Sequence, residues 1–175
     1  YDLRVLVKKL KAKVLSFWKP YREVYRGKTR GGQVALALSP FSAPQAVAVA
    51  EEMAAFGVKS LLFFGYCGSL QEKLMAGEII VPVEALREEG TSYHYLPPGC
   101  SAIADKELVA LMQETFQEEG VSFRMGKIWT TDALYRETTK KVDLYRKEGF
   151  LAVEMEAAAL FAWGQTSGVK VAGLL

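Results

Sequence analysis

Apolar, strand-like runs alternate with helix-like segments along most of this chain, and this alternation restricts the possible folds more than any other feature of the sequence. Helical segments precede the apolar runs at 59–64, 123–129, 151–155 and 169–175. Parallel strands need long connections, and those connections are usually helices. The sequence therefore predicts an α/β fold of three layers, in which a mixed central sheet is flanked by helices.

Local patterns predict where some of these elements begin and end. Apolar residues at helical spacing predict an N-terminal helix that runs to Phe17 and is closed by Pro20. Ser42 is the expected N-cap of the next helix. Pro82 lies within the strand predicted at 77–86, which indicates a sheet edge or the end of that strand.

Composition and charge exclude several classes of protein. The net charge is only +2 over 175 residues, so nucleic acid is not the expected partner. The two cysteines, Cys67 and Cys100, form no CxxC pair, which argues against a disulfide scaffold or a metal site and fits a reducing compartment. No apolar stretch approaches the ~18 residues of a membrane span. We therefore expect a cytoplasmic protein without a membrane or a metal.

A single domain over residues 1–175 is the simplest organisation, because the chain shows no internal repeat, linker or low-complexity tract. The chain begins at Tyr1 rather than at a methionine. It ends within the apolar run VKVAGLL, which is predicted to be a core strand. Since a core strand rarely makes a natural end, we expect a fragment or a trimmed chain.

A tight glycine turn, GYCGS (65–69), follows the apolar run 59–64, which is typical of a strand buried on both faces. A nucleophile elbow around Cys67 would need a base and an orienting acid, and His94 is the one histidine. The expected order of acid and histidine is missing, and so are both standard phosphate loops. What remains is a turn at the carboxyl end of a strand, where open α/β sheets bind ligands.

Two carboxylates flank Met155 in AVEMEAAAL (152–160), where a strand is predicted to become a helix. One of them, Glu154 or Glu156, could face a ligand while the other packs elsewhere. A carboxylate is a good acceptor for the vicinal hydroxyls of a sugar. The alternative is that both are solvated glutamates of the first helical turn, which the helix dipole favours.

Apolar and aromatic side chains also interrupt two polar stretches. Leu134 and Tyr135 lie in TTDALYRET (130–138), where they suit a flat heterocycle and, nearly as well, a loop packed on its own core. His94 stands between two tyrosines in GTSYHYLPPG (90–99). A lone histidine in such a setting is more often structural than catalytic.

Four stretches, in this order, resemble the nucleoside phosphorylase family, which includes hexameric purine nucleoside phosphorylases and uridine phosphorylases. They are SAPQAVAVAEEMAAFGVKSLLFFGYCGSL, MAGEIIVPVEALREEGTSYHYLP, GKIWTTDALYRET and FLAVEMEAAALFAWG, and they cover roughly residues 20–175. The resemblance implies the family fold and an enzyme that transfers the pentosyl group of a nucleoside to inorganic phosphate. It also implies a homo-oligomer, from dimer to hexamer, and no cofactor beyond phosphate as a co-substrate.

The resemblance further implies a cleft that holds a nucleoside beside a phosphate. Glu156 matches the catalytic glutamate that binds the ribose hydroxyls, and Met155 matches the methionine that lies against the sugar. The other expected substrate contacts are Val153, Glu154, Leu134, Tyr135, Asp132 and His94. The expected phosphate-side loop consists of Gly65, Tyr66, Cys67 and Gly68.

Departures from the family pattern concern the phosphate and the base. An arginine and a small hydroxyl residue usually contact phosphate where this chain has Phe63 and Tyr66, and an aromatic ring cannot replace a bidentate guanidinium. Thr138 and Lys140 stand where the family reads uracil. The N-terminal strand and the C-terminal Ser-Asp segment of the family are expected to be missing. Three alternatives stay open: phosphorolysis, hydrolysis by water, and nucleoside binding without catalysis.

Overall fold

The computed structural model describes residues 3–15 and 23–175, which divide into two compact units, 1–40 and 41–175. The first unit contains helix α1 (Leu3–Lys9) and an antiparallel sheet in the order β1-β2-β3. Its strands are β1 (Lys13–Val14), β2 (Val24–Thr29) and β3 (Gly32–Ala37). The prediction of a single domain stays a prediction.

The first helix is shorter than the sequence pattern predicts. Lys11 has a φ of 48°, in the left-handed region, and a right-handed helix cannot continue through such a residue. Val14 therefore lies in a strand rather than in the helix. Phe17 and Pro20 lie outside the described residues.

The second unit is an α/β structure with mixed sheets. Its helices are α2 (Ala43–Ala55), α3 (Lys106–Glu118), α4 (Thr139–Lys147) and α5 (Ala157–Ser167). Its strands are β4 (Ser60–Phe64), β5 (Gly68–Ser69), β6 (Ile79–Glu88), β7 (Ala102–Ile103), β8 (Phe123–Thr131), β9 (Ala152–Glu154) and β10 (Lys170–Leu174). The larger sheet has the order β5-β9-β8-β6-β7, and β10 pairs with β4. The predicted α/β class, with mixed sheets flanked by helices, is confirmed.

The parallel strands carry the helix connections that the sequence pattern predicts. Strands β6, β8 and β9 run parallel to one another, and so do β4 and β10. The short strands β5 and β7 are antiparallel to their neighbours. Helix α5 lies in the core, where every residue from Ala157 to Gly164 is buried. A helix that is apolar all round in this way has its position fixed by packing.

The structure corrects the expectation that the run 59–64 is buried on both faces. Strand β4 pairs with β10, and alternate residues face the core and the solvent. Leu62 is 46% exposed, whereas Phe63 packs against the hydrophobic core. A continuous apolar run does not show that both faces are covered, because folded proteins commonly expose some of their apolar side chains.

Pro82 is also placed differently from the prediction. It is buried within β6 and coincides with a shift in register between β6 and β8, after which Glu84 pairs with Lys127. The shift leaves Val83, the residue after Pro82, without a paired residue on β8, and a proline inside a sheet is tolerated at such a bulge.

The aromatic ring of Phe63 lies over the backbone of Gly173 on the neighbouring strand. A Cβ atom built on Gly173 would come within 2.2 Å of the ring carbon Cζ of Phe63. The same ring lies 5.8 Å from the ring of Phe161, between centroids. The space above Gly173 is therefore filled by an aromatic side chain.

We expect Gly173→Ala to destabilise the protein by about 1–3 kcal/mol, because the new methyl group overpacks the site of the Phe63 ring. The matched control is Gly90→Ala, where a new Cβ meets nothing closer than the Asp132 Oδ2 atom at 3.8 Å. Urea unfolding at constant slope measures the difference. Adding Phe63→Leu to Gly173→Ala should recover part of the loss, and equal midpoints for Gly173→Ala and the parent would contradict the packing account.

Candidate functional site

The candidate site lies where β9 becomes α5. Strands β8 and β9 run parallel and are in register, with Trp129 opposite Val153 and Thr130 opposite Glu154. Both strands end within one residue of this pair, at Thr131 and Glu154. The carboxyl ends of parallel strands are where α/β folds bring polar groups together.

Glu154 is buried, and the protein itself occupies both of its carboxylate oxygens. Oε2 accepts hydrogen bonds from the backbone N–H groups of Glu156 at 2.7 Å and Ala157 at 2.8 Å. Oε1 lies 2.5 Å from the hydroxyl oxygen of Thr130. The side chain therefore caps the first turn of α5, where the helix dipole favours a negative charge.

Burial raises the pKa of Glu154 to about 7, although the hydrogen bonds from Thr130, Glu156 and Ala157 oppose the shift. Thr130 also accepts a hydrogen bond from the backbone N–H of Ala158 at 3.0 Å. A hydroxyl can donate to a carboxylate or accept from a carboxylic acid. The contact between Thr130 and Glu154 can therefore persist in both protonation states of the glutamate.

Glu156, two residues further on, is only half-buried. Its Oε1 atom accepts a hydrogen bond from the backbone N–H of Ser42 at 2.7 Å. Burial raises the pKa of Glu156, the N–H groups of Ser42 and Met155 lower it, and the negative charge of Asp132 raises it. Backbone N–H donors thus hold the Glu156 carboxylate, and the charge of the nearby Asp132 carboxylate acts on it.

Asp132 connects this region to the loop that follows β6. Its Oδ2 atom accepts a hydrogen bond from the backbone N–H of Gly90 at 2.9 Å. Asp132 follows the end of β8 directly and is exposed. The two carboxylates that face outward here, Asp132 and Glu156, suit hydroxyl-rich or positively charged groups.

The loop 90–100 is held by a buried arginine. Arg87 donates hydrogen bonds to the Ser92 hydroxyl, and to the carbonyl oxygens of Leu96, Pro97 and Cys100, at 2.6–2.9 Å. Its guanidinium also lies 4.2 Å from the centroid of the Tyr93 ring. The loop that carries His94 therefore has a fixed framework.

The glycine turn lies beside the same junction. Gly68 pairs with Val153, and the N–H of Gly65 donates to the carbonyl oxygen of Leu174 at 3.0 Å. Burial, together with the charge of Glu154, raises the pKa of Cys67 to about 11. A thiol that stays protonated is a poor nucleophile, so the geometry gives no support to a nucleophile elbow.

The other expected contacts divide into buried and exposed residues. Val153 packs in a core cluster, and Met155 is 9% exposed, so neither presents much surface to a ligand in this structure. Tyr135 is 97% exposed and Leu134 is 46% exposed. His94 and Tyr66 are exposed as well. Their contacts with a ligand stay predictions.

Sequence reasoning missed three residues that shape the site: Ser42, Arg87 and Thr130. Ser42 does occupy the N-cap position of α2, but its side chain makes no capping hydrogen bond, which corrects the expected role. Its backbone binds Glu156 instead, and that contact has no local signal because it joins residues far apart in the chain. Arg87 and Thr130 lie in strands, where the sequence pattern shows which residues share a face of the sheet but not which contacts their side chains make.

Within 3–15 and 23–175, no group of three or more histidine, cysteine or acidic side chains could hold a metal ion. The helices in those ranges are also too short or too polar to cross a membrane.

We expect stability to fall as the pH rises from about 4.5 to about 7, because Glu154 ionises in the unfolded chain before it ionises in the folded protein. The folded pKa of about 7 lies above the unfolded value of 4.5, so the folded protein binds more protons in this window. The stabilising contribution is complete below the unfolded pKa and is lost above the folded one. Its size is about 3 kcal/mol at most.

Glu154→Gln is the matched variant, because glutamine cannot titrate but can keep the same partners: its carbonyl oxygen can accept from the N–H groups of Glu156 and Ala157, and its amide N–H can donate to Thr130. Urea unfolding of both proteins between pH 4 and pH 8 measures the effect. The variant should show a flatter pH profile of the free energy of unfolding than the parent. Identical slopes would contradict the assignment to Glu154.

Comparison with known proteins gives three informative relatives. The chain is 29% identical to a guanosine phosphorylase of Halorubrum lacusprofundi, over 82% of this chain and 60% of that protein. It is 27% identical to a purine nucleoside phosphorylase of the DeoD type from Clostridium novyi, over 86% of this chain and 66% of the relative. It is also 27% identical to a uridine phosphorylase of Thermococcus kodakarensis, over 91% of this chain and 62% of the relative.

The chain thus spans between three fifths and two thirds of the length of these curated relatives. A family model described as the phosphorylase superfamily matches residues 2–175. The match covers nearly the entire sequence and agrees with the α/β architecture. On this evidence, the chain belongs to the phosphorylase superfamily.

Proposed function

We propose that this protein cleaves the N-glycosidic bond of a nucleoside, with Glu156 binding the hydroxyls of the sugar. The observation that carries the proposal is the placement of Glu156. It is half-buried at the carboxyl end of a parallel sheet, bound by the N–H of Ser42 and close to the charge of Asp132. A fixed carboxylate of this kind can accept hydrogen bonds from two neighbouring hydroxyls.

The same charges have a role in the reaction. Breaking the glycosidic bond gives the sugar oxocarbenium character, and negative charge held beside it stabilises that state. Glu156 is the residue proposed to do this, and Asp132 adds to the local negative potential. Glu154 contributes indirectly, because its bonds to the N–H groups of Glu156 and Ala157 fix the backbone from which Glu156 projects.

The relatives support a nucleoside substrate without favouring one base. Their names specify guanosine, purine nucleosides and uridine in turn. A shared sugar site with different base contacts accounts for that range. We therefore propose that this chain recognises the ribosyl half of the substrate through Glu156, with Met155 buried beside it.

Phosphate is the proposed acceptor of the pentosyl group, although the phosphate half of the site is weak. Phe63 stands where the family resemblance expects an arginine, and its ring is packed over Gly173 and against Phe161. This packing favours a second candidate function, hydrolysis of the bond by water. A nucleoside-binding relative without catalysis is the third.

Assembly and location complete the proposal. We propose a cytoplasmic homo-oligomer, between a dimer and a hexamer, on the strength of the family resemblance. The segment 90–99 suits a subunit contact, because Arg87 holds it in shape while Tyr93 stays 47% exposed. Aromatic residues are enriched at such contacts.

Glu156→Gln should weaken nucleoside binding at least tenfold, because a lost charge-assisted hydrogen bond costs about 1.5–3 kcal/mol. Calorimetric titration with guanosine and with uridine measures the affinity. The melting temperature should stay within a few degrees of the parent. Glu114→Gln, at an exposed position on α3, is the control. If Glu156→Gln binds as tightly as the parent, Glu156 is only a residue at the start of a helix.

Nucleoside cleavage should respond weakly to phosphate, without saturation in the sub-millimolar range common for enzyme substrates. Release of the free base is measured against phosphate concentration for the parent, Phe63→Arg and Phe63→Leu. Phe63→Arg should strengthen the response because it supplies a bidentate anion donor, whereas Phe63→Leu should not.

The outcomes of this experiment separate the candidate functions. Strong, saturable dependence on phosphate in the parent would contradict the weak phosphate site. Equal cleavage with and without phosphate would favour hydrolysis. Binding of nucleoside without release of the base, in parent and variants alike, would favour the non-catalytic relative.

A further inference from the structure

Ser42 has a backbone conformation that residues other than glycine rarely adopt. Its φ is 101° and its ψ is 149°. Within the described residues, Lys11 and Ser42 are the non-glycine residues with positive φ. Such a conformation is unfavourable for a residue with a Cβ atom, and it persists only where the surrounding structure enforces it.

The surroundings hold Ser42 from both sides. Its N–H donates to the Oε1 atom of Glu156 at 2.7 Å, and its carbonyl oxygen accepts from the N–H of Ala46 at 3.0 Å. The second bond belongs to the first turn of α2, whose inner face is buried. The packed helix α2 therefore fixes the carbonyl group of Ser42. With that group fixed, the value of φ determines the direction of the Ser42 N–H.

The value of φ decides where that N–H points. With α2 fixed, a change of φ from 101° to an ordinary negative value would rotate the N–H about the N–Cα bond by roughly 100° or more. The N–H would then point away from Glu156. The strained conformation and the hydrogen bond to the carboxylate consequently occur together.

Helix capping does not account for the conformation. The Ser42 hydroxyl makes no capping bond to α2, so the helix does not need this side chain at its start. Pro44 near the N-terminus of α2 already suits a helix start without any contribution from Ser42. What the conformation provides is a donor to a carboxylate on a different element of the fold.

We propose that Ser42 is a positioning residue, whose strained backbone is kept because it aims its N–H at the Glu156 carboxylate and holds that carboxylate in its ligand-binding orientation. Holding the carboxylate in advance lowers the entropy cost of binding a ligand. The statement about the ligand rests on the proposed function. The coupling between Ser42 and Glu156 does not.

The coupling is measured without any nucleoside. In ¹⁵N-labelled parent protein, the amide resonance of Ser42 should follow the titration of the Glu156 carboxylate, and it should lose that titration in Glu156→Gln. A Ser42 amide shift that is flat through the titration of Glu156 would overturn the proposal. This measurement needs no substitution at residue 42.

Substitutions then test the role of the N–H. Ser42→Gly keeps the N–H and removes the conformational strain, so the pKa of Glu156 should match the parent while the unfolding midpoint rises. Ser42→Pro removes the N–H, so the pKa of Glu156, followed by ¹³C carboxyl NMR, should rise. If Ser42→Gly shifts this pKa as far as Ser42→Pro does, the N–H is not the cause and the proposal fails.

Binding of guanosine and uridine completes the test. Ser42→Pro should weaken the affinity at least tenfold in the parent, and by less than twofold in the Glu156→Gln background, where the carboxylate is already absent. Equal losses in both backgrounds would show a general structural defect and overturn the positioning role. If the parent binds neither nucleoside, the proposed function fails, and the NMR titrations still decide whether Ser42 holds Glu156.

Discussion

The contact between the Glu154 carboxylate and the first turn of α5 is the interaction on which the arrangement of the site depends. It ties the end of β9 to the N–H groups of Glu156 and Ala157, and Thr130 ties it to β8. Helix α5 is buried along most of its length, so it has no freedom to begin elsewhere. The buried side chain of Glu154 therefore fixes the backbone position from which the side chain of Glu156 projects.

Two glutamates separated by one residue lie in different environments. Glu154 is surrounded by protein and has donors on both oxygens, whereas Glu156 is half-buried and open to further partners. Burial raises the pKa of both, most clearly for Glu154. Environment alone can therefore set two neighbouring carboxylates apart in their protonation.

Features with a local cause could be predicted from the sequence. The glycine turn after β4 and the junction of β9 with α5 follow from apolar runs and helix formers that are adjacent in the chain. Pro82 and Leu62 were assigned wrongly because their environments depend on neighbouring strands. A bulge opposite β8 accommodates the proline, and the outer face of β4 leaves the leucine half exposed.

The candidate site was only partly accessible from the sequence. Residue chemistry left two alternatives for Glu154 and Glu156, and the family resemblance singled out Glu156. The contact with Ser42 joins two segments that the pattern of the chain does not connect. The filling of the space over Gly173 by Phe63 depends equally on the register of β4 and β10.

The way Arg87 holds the loop 90–100 has a consequence for how the site responds to its surroundings. The hydrogen-bond partners described for its guanidinium are carbonyl oxygens and one hydroxyl, all of them neutral. A guanidinium keeps its charge throughout the range in which proteins fold, and these partners have no charge to lose. The hydrogen bonds that Arg87 makes to this loop therefore do not depend on the protonation of a partner, unlike those that the carboxylates of Glu154 and Glu156 accept.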